Sequence, residues 1–167
     1  TQPNSSAASD VYKRQAYMGL KNTDKTIESY QKALQLYPNH TDAYNNMGMA
    51  LYDQGRFDEA VESYQKAVGL EPNFADAHYN LGNALKQVGD LKQAFESYKT
   101  SLAINSSDAE GLINYGNTVE EYGDFGQAIH YYEKALRVDP NSGAVQTNID
   151  NAVKEKAEID KLVKDYA

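Results

Sequence analysis

Asparagine stands at Asn46, Asn80, Asn114 and Asn148, each 34 residues after the last. A carboxamide does no acid–base or nucleophilic work, but it offers one acceptor and two donors. That is the complement of a peptide main chain, whose carbonyl and N–H groups are the same whatever its side chains. A series of such amides at fixed spacing suits the holding of an extended segment by its backbone. Asn83 and Asn117 follow two of the series by three residues, one helical turn along the same face. Asn45 and Tyr79 immediately precede Asn46 and Asn80. Asp42, Asp76 and Glu110 recur four residues ahead of Asn46, Asn80 and Asn114. Their charge favours a neutral or basic partner and repels an acidic one. A structural reading stands beside the binding one: an asparagine in such a place can satisfy a neighbouring backbone group or stay hydrated.

Other chemistries find no support. The three histidines, His40, His78 and His130, fall at unrelated places in the 34-residue register and form no ligand set. There is no cysteine, so no thiolate metal site or disulfide framework is available, and a reducing compartment, the cytoplasm, is expected. The glycines recur as punctuation and form no phosphate-binding loop. No catalytic group, metal site or cofactor is expected in this chain. The net charge of −8 opposes binding to nucleic acid, whose affinity rests on a basic surface, and opposes anionic membranes. No apolar run approaches the roughly 20 residues that span a bilayer.

The elements that must carry the asparagines are legible from the period. "TDAYNNMGMALYDQGRFDEAVESYQKAVGLEPNF" begins at Thr41, and units of the same length begin at Ala75 and Ala109. Small residues recur at Gly48, Gly82 and Gly116 and at Ala60, Ala94 and Ala128, where helices approach closely. Large ones recur at Met47, Leu81 and Tyr115, at Leu51, Leu85 and Val119, and at Tyr64, Tyr98 and Tyr132. Spacings of three, four and seven are helical. Gly55, Gly89 and Gly123 lie between the two helices of each unit, where a left-handed residue ends the first helix at little steric cost. Each second helix stops before "EPN", "NSS" or "DPN".

This pattern resembles the tetratricopeptide repeat, on Met47, Gly48, Leu51, Ala60, Tyr64, Ala67 and Pro72 and their counterparts. The departures are local: Ser106 replaces the terminal proline, Ser101 a small alanine, and His78 and Leu112 an aromatic residue. The resemblance implies an all-α, right-handed α-solenoid of helix-turn-helix repeats whose first helices line a concave groove. Its divisions are a truncated repeat over residues 16–40, complete repeats over 41–74, 75–108 and 109–142, and a C-terminal capping helix over 143–167, with Ile149 and Val153 at core positions. The asparagine series is similar to that in the repeat region of O-linked N-acetylglucosamine transferases. The expected function is a protein-interaction scaffold that binds an extended peptide in the groove. The alternative is the substrate-recruiting region of a larger glycosyltransferase whose catalytic part lies elsewhere. The family's carboxylate clamp is not expected, since Asp53, Gln87 and Glu121 occupy the late groove position where basic residues would be needed.

Run backwards from Thr41, the register holds at Pro38, Ala33, Tyr30 and Tyr17 and then breaks at Lys13 and Arg14. The stretch "SSAASDVYKRQ", residues 5–15, matches codon for codon the in-frame translation of a transposase-type sequencing adapter. Residues 1–15 are therefore expected to be non-native.

Overall fold

Three kinds of local signal set the helices. The apolar residues recur at helical spacing, polar side chains cap some N-termini, and glycines end the first helix of each complete pair. The structure, a computed structural model, describes residues 23–166; the segment read above as adapter-derived lies outside them. Among the described residues every regular element is helical: α1 (Thr23–Leu36), α2 (Thr41–Asp53), α3 (Phe57–Leu70), α4 (Ala75–Gln87), α5 (Leu91–Ile104), α6 (Ala109–Glu121), α7 (Phe125–Val138) and α8 (Gly143–Asp165). This is the all-α helical-repeat class, the α-solenoid of helix pairs. The chain divides into two units, one ending at Asp90 and the other beginning at Leu91.

Each first helix is stopped by the same device. Gly55, Gly89 and Gly123 have φ of 73°, 85° and 82°, a region that side chains with a Cβ rarely enter. At the end of α2 the Arg56 N–H reaches the Leu51 carbonyl at 3.0 Å and the Gly55 N–H reaches Tyr52 at 2.9 Å. The paired bonds satisfy carbonyls that the helix leaves open and define a Schellman motif. It recurs as Asp90 to Leu85 and Gly89 to Lys86, and as Asp124 to Val119 and Gly123 to Glu120. Helix α2 starts on His40, whose Nδ1 accepts from the Ala43 N–H, and α7 starts on Asp124, whose Oδ1 accepts from Gln127 N at 2.9 Å.

In the first unit, Tyr30, Leu34 and Ala43 form a buried cluster against which Tyr44 and Met47 pack. Tyr64 of α3 lies against Gly48 of α2, so close that a Cβ on the glycine would stand 2.6 Å from the ring. In the second unit Tyr132 of α7 lies on Gly116 of α6 at the same 2.6 Å. Tyr30, Tyr64, Tyr98 and Tyr132 head the largest fully buried side chains. Tyr64 and Tyr132 thus fill the space that a glycine leaves, and burial raises both phenols well above their ordinary value.

Helix α8 departs from expectation. Its buried residues are Val145 and Ala152; Ile149 is only half-buried and Val153 is exposed. Among the described residues no second helix follows α8, so only the side facing α7 is covered.

Candidate functional site

The asparagines ride on α2 and α4 in the first unit and on α6 and α8 in the second. They project there because the buried stripe of each helix takes the small and large apolar positions, leaving the preceding residue on the flank. Asn46, Asn80, Asn83, Asn114, Asn117 and Asn148 are all half-buried, as is Tyr79, whereas Asn45 is buried. They sit at the edge of the packed face, wetted on one side.

In the first unit the amides pair across helices. Asn80 Nδ2 donates to Asn45 Oδ1 at 3.1 Å, and Asn45 Nδ2 points at the Met49 sulfur, 3.8 Å away. Asn45 uses one N–H and one lone pair on these two contacts and is otherwise buried. Asn80 uses one N–H, which leaves its second N–H and its oxygen for other partners. Asn46, one residue on, makes no side-chain hydrogen bond among the described residues and keeps its full capacity.

The second unit is more internally committed. The Tyr132 hydroxyl stands 2.7 Å from Asn117 Oδ1 and 2.5 Å from Glu120 Oε2. A hydroxyl has one proton, and the shorter, charge-assisted bond to the carboxylate prevails. Desolvation raises the Tyr132 phenol and the bond to Glu120 raises it further. Glu120 is accordingly half-buried and engaged by the phenol. Asn148 Nδ2 is 3.5 Å from Asn117 Oδ1, at the long limit of a bond. The Asn114 backbone carbonyl accepts from Thr118 Oγ1 at 2.8 Å.

Sequence reasoning missed these partners. Asn80 and Asn148 hold the same register position, yet one reaches a residue 35 positions back and the other a residue 31 back. The difference of four is one helical turn, which a repeat register alone does not select. The signal for Tyr132 with Glu120 was present in their spacing of twelve, but many residue pairs share it.

Asp42, Asp76 and Glu110 are exposed and lie in the first turns of α2, α4 and α6. There a negative charge complements the helix macrodipole, so each has a local role whatever it does for a partner. The histidines are each engaged locally: His40 caps α2, His78 Nε2 lies 2.9 Å from the Pro72 carbonyl, and His130 packs edge-on against Tyr131. Among the described residues no group of three or more His, Cys, Asp or Glu could hold a metal ion, and no helix is long and apolar enough to cross a membrane.

Profiles of the tetratricopeptide repeat match residues 15–40, 29–62, 48–89 and 73–141. Among the described residues, 23–141 are thus tetratricopeptide repeats. Among solved structures, one of MamA is 26% identical, with a TM-score of 0.83 over 90% of this chain and 88% of that one. A second MamA structure is 25% identical, with a TM-score of 0.86 over 95% and 86%. YrrB, described as a TPR protein with an unusual peptide-binding site, shares the fold at 20% identity, with a TM-score of 0.78 over 86% and 74%. No curated protein matches the sequence significantly. The class these findings define is the protein-interaction scaffold.

Proposed function

We propose that the chain is a non-catalytic scaffold whose first-helix faces hold an extended, neutral or basic peptide by its main chain. The observation that carries this reading is the Asn45–Asn80 bond. It orients the Asn80 amide while leaving an acceptor and a donor unspent beside the unengaged amide of Asn46. A preoriented amide loses less freedom on binding than a free one, and such loss is a large part of what opposes association. Asp42, Asp76 and Glu110 add a negative field that draws basic segments. The lack of cysteine supports a cytoplasmic setting. In a longer chain the same face would recruit substrates for a glycosyltransferase module, a second reading favoured by the periodic asparagines; recovering the flanking reading frame separates the two.

The test is titration of a mixed library of unstructured peptides against the parent and single variants. Affinity in the micromolar range, about −8 kcal/mol, is expected. Asn80→Ala and Asn46→Ala each remove bonds worth roughly 0.5–1.5 kcal/mol and weaken binding severalfold. Lys66→Ala, on the exposed side of α3, leaves it unchanged. Parent-like binding by both asparagine variants, or equal weakening by Lys66→Ala, would show that the asparagines are structural.

A further inference from the structure

The departures at Ser106 and Leu112 fall together at one junction, between α5 and α6. In the first unit the equivalent junction, between α3 and α4, is closed by an imidazole: His78 Nε2 meets the carbonyl of Pro72 at 2.9 Å. Thirty-four residues on, Leu112 and Ser106 hold those two positions. Leucine has no polar atom to span the gap, and a cavity of about 500 Å³ opens there, bounded by α5, α6 and α7. Its volume lies within the range of ligand-binding clefts.

Leu102, Leu112 and Tyr115 make apolar walls, and Lys99, Lys134 and Arg137 stand around them. Tyr115 and Tyr131 pack with ring centroids 4.3 Å apart, and Lys134 Nζ lies 4.8 Å from the Tyr131 centroid. The aromatic pair therefore supports both the wall and the position of one cation. Lys99 has a loose, exposed contact with Glu96 at 3.5 Å. Arg137 makes no ion pair among the described residues. Three cations around one apolar cavity contrast with a chain of net charge −8 and with the acidic first turns of α2, α4 and α6. Besides Leu112 and Tyr115 of α6, the cavity is lined from the second helices α5 and α7, and no asparagine lines it.

We infer that this cavity is a second binding site, for an acidic peptide segment that inserts one large apolar side chain between α5 and α7 and lays its flanking carboxylates on Lys99, Lys134 and Arg137. The apolar walls account for the anchor and the cations for the flanks. The charge of the occupant is opposite to that expected at the first-helix face, so the two sites select different segments.

The probe is a short fluorescein-labelled peptide with one central phenylalanine flanked by aspartate and glutamate, titrated by fluorescence anisotropy against the full chain. A Kd on the order of 10–100 µM is expected, weakening as salt is raised. The double variant Lys134→Gln, Arg137→Gln should weaken binding about tenfold or more. Leu112→His, which restores the ring used at the equivalent junction, should weaken it severalfold by closing the cavity. Replacing the peptide's phenylalanine by serine, or its carboxylates by amides, should do likewise. Circular dichroism confirms that each variant is folded; Lys161→Gln on α8 controls for general charge. The inference is overturned by no binding at about 1 mM, by parent-like binding of the double variant, or by equal binding of the serine peptide. Loss of binding in Asn114→Ala would place the peptide on the first-helix face and overturn it as well.

Discussion

Replacing Gly116 by alanine places a methyl carbon 2.6 Å from Cε1 and 2.8 Å from Cδ1 of Tyr132. Carbon atoms in favourable contact lie roughly 3.5–4.0 Å apart, so the ring must withdraw by about 1 Å. It has nowhere to go: Tyr132 has no solvent exposure, and its hydroxyl is held at Asn117 and Glu120. Overpacking of this kind costs about 1–3 kcal/mol. Straining the hydroxyl's bond to a carboxylate adds up to about 1.5 kcal/mol, and alanine's higher helix propensity offsets up to about 1 kcal/mol. The net expectation is a loss of about 1–3 kcal/mol. Gly126→Ala supplies the contrast, because its added Cβ meets nothing closer than 3.6 Å; it should be neutral or stabilising by up to about 1 kcal/mol. Urea unfolding followed by far-ultraviolet circular dichroism measures both. A Gly116→Ala variant that unfolds at the parent's urea concentration or above would refute the reasoning, since the ring would then have room to move.

Gly48→Ala should repeat the Gly116→Ala loss, for Tyr64 stands at the same 2.6 Å, and the same urea measurement checks it. The raised Tyr64 and Tyr132 phenols make stability depend on alkaline pH: it is fully present below about pH 10, where unfolded tyrosine begins to ionise, and falls as pH rises further because the folded state keeps its protons. Each such tyrosine contributes up to about 1.4 kcal/mol per pH unit, so Tyr132→Phe should lose stability less steeply between about pH 10 and 11; identical slopes in urea titrations would count against the buried phenol. Asp124→Ala removes the acceptor for Gln127 N and should cost about 0.5–2 kcal/mol, read as a lower unfolding midpoint.

Much of this protein was determined by residue identity alone. A positive φ at Gly55, Gly89 and Gly123 follows from the one residue that tolerates it, and the helix ends follow from those turns. The buried tyrosines opposite Gly48 and Gly116 follow from a large residue recurring in phase with a small one. Tertiary structure decided the partners. The Asn80 amide meets Asn45 and the Asn148 amide approaches Asn117, because a shift of one turn between neighbouring helices changes which side chain is in reach. Glu120 is drawn in by Tyr132, a contact between helices that the period places near each other without setting its distance. Val153 holds a core position in the register and is nonetheless exposed, since burial needs a second helix laid over it. The cavity beside Lys134 and Arg137 brings Leu112 and Ser106 together with side chains of α7. Local backbone conformation is written in single residues, whereas side-chain partnership depends on the displacement of one helix against the next, and that displacement is a property of the packed whole.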